Sequence, residues 1–527
     1  MSHENTSHDR HRAPPPAQAR RVVDPPARTA AGPYRAYKAA PFLREEREHT
    51  TLLCGGLHWR AERLAQGALE NLGYQVQILP TATREDLLTG RELADIGQCS
   101  PTSFTTGNLV NVLREKTHEL GAEAVSKRFI YFTFGSCGAC RFGQYHQSYE
   151  LALRSVGLES FRMFLCGQGD GGKEPVPGGG LEFDAPFSLG LVWAIVLSDV
   201  VQDFEYQTRP FEVKAGETAR VAKEAVEYLY EVFRRMPDRG KTVGALAWHL
   251  STRYFTTAMR EVRRRFDAVE VDRLRVKPVV KLTGEFYVQT VEGAPNYNIH
   301  RWLEAEGAEV YPAAISIWID YLLRFAGQDA EDHIGIDRYA RLKLAGIHVG
   351  QGLLRWTYGR MRRAMGGVPH ALPDQYELRR LAAPYFNSRL SGGEGDMLVG
   401  KALWAHQQKK AHMICELSPY ACMPNTMSIG AMAAVTGKYP DLLYAPLELK
   451  GDSEVHALSR CQMILTEAKK RAQREYEAVL DLVGLTPEQL ASRVTPAMRR
   501  STYKVPRPGA AAGTAANFAL HLAVGGR

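Results

Sequence analysis

The sequence lacks several features that would place a protein in a class at once. Its longest apolar run, from Ala185 to Leu197, is too short to span a bilayer and is flanked by Asp184 and Asp199. The first 45 residues are polar and proline-rich, which predicts no secretory signal peptide. No nucleic-acid-binding motif stands out. We therefore expect a cytoplasmic protein that binds neither membrane nor nucleic acid.

Cysteine is also scarce, with eight residues in a chain of 527. That number is too small for a disulfide scaffold of this size, and it suits a reducing compartment. The apolar content of 45% and charged content of 24% are ordinary for a soluble globular protein. The net charge of +8 is weak evidence for a polyanionic partner, because much of the excess lies in the tails and one helix.

A complete ATP-binding loop is missing as well. Residues 167–174 read Gly-Gln-Gly-Asp-Gly-Gly-Lys-Glu and nearly match a phosphate-binding P-loop. Glu174 stands where Ser or Thr would hold magnesium, and Pro175 and Pro177 block the helix that should follow. We interpret this segment as a glycine-rich surface loop, so the chain shows no ATP site of its own.

What the sequence does contain is an alternation of short apolar strands and amphipathic helices. That pattern predicts an α/β protein with parallel sheets, and the length favours more than one domain. We expect a disordered Pro/Arg-rich tail over residues 1–48 and an Ala/Gly-rich tail, disordered or loosely docked, over 501–527. Between them we expect one α/β domain with a helical extension over 49–272 and a second over 273–500, with a helical insertion at about 311–370.

Three cysteine loops lie where a helix begins. The strand pattern Phe129 to Gly135 leads into the pair Cys137 and Cys140, and a helical pattern follows. Cys99 and Cys422 each stand in a turn one or two residues before a proline, at a predicted helix start. A helix N-terminus favours a thiolate, so we expect lowered pKa values and a shared metal centre on these loops.

The remaining cysteines fit simple packing. Cys54 and Cys166 are predicted at strand ends, Cys461 on a helix and Cys415 within a strand, where thiols are often buried as small hydrophobes. Zinc is an alternative for the loops, but structural zinc sites usually show two C-x-x-C pairs and this chain has one. Disulfide exchange at Cys137 and Cys140 is another, although it leaves Cys99 and Cys422 unused. Iron–sulfur clusters accept scattered thiolates.

Four motifs resemble those of the 2-hydroxyacyl-CoA dehydratase and double-cubane-cluster superfamily. The nearest branch is that of the large activase-related proteins, described as CoA-substrate-specific enzyme activases, and the likeness covers about residues 50 to 475. The motifs, in order, are Gly97-Gln-Cys99-Ser-Pro-Thr with Thr105-Thr-Gly-Asn-Leu109, Cys140-Arg-Phe-Gly-Gln-Tyr145, Ser391-Gly-Gly-Glu-Gly395 with Gly400-Lys401-Ala-Leu403, and Pro419-Tyr-Ala-Cys422-Met-Pro424.

The resemblance implies two Rossmann-like domains around an iron–sulfur centre. By this likeness Cys99, Cys140 and Cys422 bind one [4Fe–4S] cluster, single or part of a double cubane. Cys137 is additional to the three-cysteine pattern, and its position near Cys140 makes it a candidate fourth ligand. Relatives receive electrons from a separate ATP-hydrolysing activator with its own cluster. The implied function is the iron–sulfur component of an ATP-dependent, low-potential reductase or dehydratase in anaerobic metabolism, that is, an oxidoreductase or lyase. A homodimer or a related second subunit is compatible with this class.

A departure from the family pattern leaves alternatives open. In the activase-related proteins ATPase domains precede this region, whereas here a polar tail does. The chain could instead be a non-catalytic electron relay, or a factor that assembles or activates clusters in a partner enzyme. A zinc-stapled scaffold is the third alternative.

Overall fold

The computed structural model describes residues 40–94, 97–135, 140–167, 178–240, 242–390 and 393–524. Cys137 and most of the rejected P-loop segment lie outside these residues. Ala39–Arg527 form one compact unit, which contains both sheets. The predicted α/β class with parallel sheets is confirmed.

The eight strands form two sheets of four. Their bounds are β1 (Thr51–Cys54), β2 (Gln75–Ile78), β3 (Phe129–Gly135), β4 (Arg162–Gly167), β5 (Val279–Gly284), β6 (Glu309–Tyr311), β7 (Met413–Pro419) and β8 (Tyr444–Leu449). The spatial order is β2-β1-β3-β4 in the first sheet and β6-β5-β7-β8 in the second. Every neighbouring pair is parallel. The two halves of the chain therefore repeat one topology.

The α-helices surround these sheets. Those of the first half are α1 (Trp59–Glu70), α2 (Arg84–Leu93), α3 (Ser100–Leu120), α4 (Ala122–Arg128), α5 (Tyr145–Ser155), α6 (Ala185–Thr208), α7 (Glu217–Arg234), α8 (Val243–Ser251) and α9 (Tyr254–Phe266). Those of the second are α10 (Phe286–Thr290), α11 (Ile299–Ala305), α12 (Ile315–Asp332), α13 (Ala340–Ala364), α14 (Gln375–Ala382), α15 (Gly395–Gln407), α16 (Met423–Lys438), α17 (Glu454–Val483), α18 (Pro487–Ser492) and α19 (Thr514–Val524).

The long apolar helix α6 extends beyond the run seen in the sequence. Ala185–Phe211 is long and apolar enough to cross a membrane by length and composition, with a mean hydropathy of 1.5. However, 67% of its most apolar window is buried inside the protein. Its side chains Val200 and Phe204 are fully buried in a cluster with residues of α7, α9 and α13. We interpret α6 as a core helix that joins the first half to the helical insertion α12–α13.

The structure differs from the predicted boundaries at both tails. Phe42 is 1% exposed and packs with Phe164, and Arg44–Glu48 form a short 3-10 helix, so order begins before residue 49. The Ala/Gly-rich end forms α19, whose Phe518 packs in a cluster with α17 residues. Alanine is small enough to let α19 approach α17 closely, which composition alone does not reveal.

Two glycines let α2 and α3 touch backbone to backbone. A Cβ atom on Gly107 would lie 1.7 Å from the carbonyl oxygen of Asp86, and one on Gly90 would lie 1.8 Å from that of Ser103. This contact fixes the position of α3, the helix that follows Cys99.

Gly107→Ala is expected to destabilise the protein by about 1–3 kcal/mol, because a methyl group has no room between these backbones. The matched control is Gly346→Ala in α13, where a Cβ meets nothing within 4 Å. That change is expected to stabilise by about 0.5–1 kcal/mol, the helical preference of Ala over Gly. Urea unfolding checks both, and a Gly107→Ala protein as stable as the wild type contradicts the packing described.

Candidate metal centre

Each sheet has a topological switch point, where the next strand is added on the opposite side of the first strand. In the first sheet this lies between β1 and β3, and in the second between β5 and β7. In open α/β sheets ligands bind outside the carboxyl ends of the strands at such a point. Cys140 follows β3 and Cys422 follows β7, so the two halves place a cysteine loop at equivalent positions.

The Cys99 loop is tied to the Cys422 loop through the backbone. Cys99 is the N-cap of α3, and the next residue, Ser100, donates its N–H to the carbonyl of Tyr420 (3.1 Å). The Ser100 hydroxyl donates to the carbonyl of Leu449 at the end of β8 (2.9 Å). The N-terminus of α3, in the first half of the chain, thus contacts the carboxyl edge of the second sheet.

The Cys140 loop joins the same place from the other side. Cys140 is the N-cap of a short 3-10 helix, Arg141–Gln144, which leads into α5. Arg141 donates from Nε to the carbonyl of Ala421 (3.3 Å), the residue before Cys422. The hydroxyl of Tyr145 lies 3.3 Å from the Cys99 sulfur. All three cysteine loops therefore contact one another, and Arg141 serves as a bridge between two of them.

The turn before Cys422 is held in a strained conformation. Ala421 has φ of +60°, in the left-handed region that residues other than glycine rarely adopt. The Cys422 N–H donates back to the Pro419 carbonyl (3.1 Å) and closes the turn. Strain of this kind is retained where surrounding contacts fix the backbone, and such places are often functional.

The prediction that helix N-termini lower the pKa of these thiols is wrong. Burial raises the pKa of Cys140 to about 12, with a smaller contribution from the Glu394 charge. Burial also raises the pKa of Cys99, and it raises that of Cys422 well above its usual value. A charge on Cys99 adds a smaller contribution to the raised pKa of both Cys140 and Cys422. The raised pKa values favour the protonated thiol at all three cysteines at neutral pH.

Two glutamates complete the site, and local sequence patterns predict no role for either. Burial raises the pKa of Glu285 to about 8, helped by the Glu394 charge, and burial also raises the pKa of Glu394. Glu394 accepts a hydrogen bond from the N–H of Phe286 (3.1 Å), which links the two carboxyl segments. Both residues stand beside a glycine, in Gly284-Glu285 and Glu394-Gly395, and that pairing was the available sequence signal.

The three thiols are the kind of donor that iron–sulfur clusters use. Within the part of the chain that the structure describes, no three His, Cys, Asp or Glu side chains are close enough to hold one metal ion. A structural zinc ion needs four ligands arranged as a tetrahedron around it. In an iron–sulfur cluster each thiolate binds a different iron atom, so the ligands can come from separate loops. Cys99, Cys140 and Cys422 stand on three loops that contact one another.

The other described cysteines lie apart from this site. Cys415 and Cys461 are fully buried together in the core of the second sheet, where a hydrogen bond between the thiols raises the pKa of Cys415. Cys54 ends β1 and Cys166 lies in β4, each half-buried. Their positions agree with the packing role that the sequence suggests.

Comparison of the sequence with protein-family models finds no match. Comparison with curated proteins finds no match either. The fold and the site define an α/β protein with two equivalent parallel sheets and three cysteine loops at their carboxyl edges. Its function must be argued from that geometry.

Glu285→Gln tests the buried acid in the metal-free protein. Because the folded state holds a proton that the unfolded state releases, wild-type stability should fall as pH rises from about 4.5 to about 8. The neutral amide of Gln carries no charge that must be buried at high pH. The free energy of unfolding of the variant minus that of wild type should therefore be larger at pH 9 than at pH 5. Urea midpoints at both pH values measure the difference.

Glu92→Gln, at the exposed end of α2, is the control and should show no such pH-dependent gain. An equal stability difference between Glu285→Gln and wild type at both pH values contradicts a protonated Glu285.

Proposed function

We propose that Cys99, Cys140 and Cys422 bind an iron–sulfur cluster and that the protein is the electron-accepting component of an ATP-dependent, low-potential reductase or dehydratase. The mutual contact of the three cysteine loops carries this proposal. The sequence motifs resemble those of the 2-hydroxyacyl-CoA dehydratase superfamily at the same three cysteines. A cluster held there would supply one-electron reduction of a bound acceptor.

The surroundings of the thiols favour a low reduction potential. Cys99 and Cys422 are each 5% exposed, Glu394 is 6% exposed, and Glu285 is partly buried. Added negative charge is costly in such a place, because burial opposes it. A strong, energised electron donor is then required, which agrees with a separate ATP-hydrolysing activator. Three ligands leave one iron open, or Cys137 supplies a fourth.

An electron relay is the second candidate, and a surface feature favours it. Tyr420 is 49% exposed and Met423 is 40% exposed, on either side of Cys422. Exposed aromatic and methionine side chains are enriched at protein interfaces. A partner that docks on these two residues would come close to the centre. In either role the protein acts with a partner, in a reducing cytoplasm.

Anaerobic reconstitution with iron and sulfide tests cluster binding. Cys99→Ala, Cys140→Ala and Cys422→Ala are each expected to lose most of the bound iron and acid-labile sulfide, because each removes a ligand from a different loop. The matched control is Cys166→Ala, a half-buried thiol on β4 that should leave both contents unchanged. Zinc bound without sulfide, or unchanged iron in all three variants, contradicts the proposal.

A further inference from the structure

A buried carboxylate lies behind the Cys422 loop, in the middle of β7. Glu416 is 0% exposed and accepts three hydrogen bonds, from Asn425 Nδ2 (2.9 Å), Ser428 Oγ (2.7 Å) and Tyr444 OH (2.7 Å). An ionised carboxylate only accepts hydrogen bonds, and three donors aimed at one group match that form. Burial raises the pKa of this carboxyl group, and the hydrogen bonds from Ser428, Tyr444 and Asn425 oppose that rise. Glu416 is therefore a buried acid that can exchange a proton within the second sheet.

The charged and titratable groups around Glu416 come from several elements. Lys401 on α15 is 2% exposed, and burial lowers its pKa to about 8. Glu394, at the start of the same helix, is a second acid that interacts with Glu416. Burial raises the pKa of the Tyr444 phenol on β8. Cys415 precedes it on β7 and is paired with Cys461 on α17. The one cation among these groups, Lys401, can balance the charge of one carboxylate but not a further negative charge.

Asn425 connects this carboxylate to the candidate ligand. Its Oδ1 lies 3.5 Å from the Cys422 sulfur, while its Nδ2 donates to Glu416. The amide has one NH₂ group and one carbonyl oxygen, so the sulfur and the carboxylate compete for the same donor. In the metal-free protein the Cys422 thiol donates to Oδ1, and the carboxylate keeps the N–H.

The outcome of that competition depends on the charge at the sulfur. A metal-bound thiolate shares its charge with the metal, so the full charge of the carboxylate keeps the N–H. An added electron makes the sulfur a stronger acceptor and favours rotation of the amide. Glu416 then faces the carbonyl oxygen of Asn425, and it can keep that contact only if it carries a proton to donate.

We propose that Glu416 binds one proton for each electron that enters the centre, and that Asn425 couples the Cys422 sulfur to Glu416. This inference rests on the proposed function. One electron comes from a low-potential iron–sulfur donor, one proton comes from solvent, and a new O–H bond forms at the Glu416 carboxyl group. The net charge of the buried region is unchanged. Tyr444, half-buried and bonded to Glu416, offers the proton a route.

The test is the pH dependence of the midpoint potential of the reconstituted protein, titrated with dithionite and monitored by absorption. Uptake of one proton per electron lowers the potential by about 59 mV for each tenfold fall in proton concentration. Wild type should show that slope across neutral pH. Glu416→Gln, a neutral amide of the same shape, should show a clearly shallower profile, in which the remaining slope comes from groups such as Glu285 and Lys401, whose pKa values are about 8. Thr436→Ala, farther along α16, is the control and should keep the wild-type slope.

Asn425→Ala provides a second variant, should Glu416→Gln fold poorly. It removes the link while keeping the acid, so its slope should also flatten. Iron and sulfide contents, measured first, test the proposed function separately. A protein that binds the cluster and keeps the wild-type slope in Glu416→Gln or Asn425→Ala overturns this inference.

Discussion

The site depends on the closure of two sheet edges against each other through backbone hydrogen bonds. Each sheet ends in loops with unpaired polar groups, and burying them without partners is costly. Ser100 N–H meets the Tyr420 carbonyl, and Arg141 meets the Ala421 carbonyl, so loops from one half satisfy those of the other. The three cysteine loops are brought together because the chain must satisfy these groups.

Burial dominates the electrostatics of the site. The thiols stand at helix N-termini, where the dipole favours a thiolate, yet desolvation raises the pKa of all three. The same desolvation raises the pKa of Glu285 to about 8 and also raises the pKa of Glu394. In the proposed function, a cluster bound by these thiols would replace their protons and would be surrounded by groups that resist extra negative charge. The proposal thereby connects the buried acids, including Glu416, with a strong electron donor.

Local sequence patterns predicted much of this architecture. The run Phe129–Gly135 is a strand as expected, and Cys99, Cys140 and Cys422 each precede a helix, because apolar alternation and Gly/Pro turns act over a few residues. Residues 243–266 form two helices, α8 and α9, which are separated near Thr252. Glu285, Glu394 and the pair of Glu416 with Asn425 were missed, since isolated acids gain meaning only from tertiary contacts far apart in sequence.

The central claim is that three separate turns hold one iron–sulfur centre. The most direct measurement is the absorption and electron paramagnetic resonance spectrum of protein purified without oxygen, together with its iron and acid-labile sulfide counts. The account predicts a broad charge-transfer band near the visible edge, a paramagnetic signal after reduction, and iron and sulfide in equal amounts. A colourless protein without sulfide, silent after reduction, contradicts it.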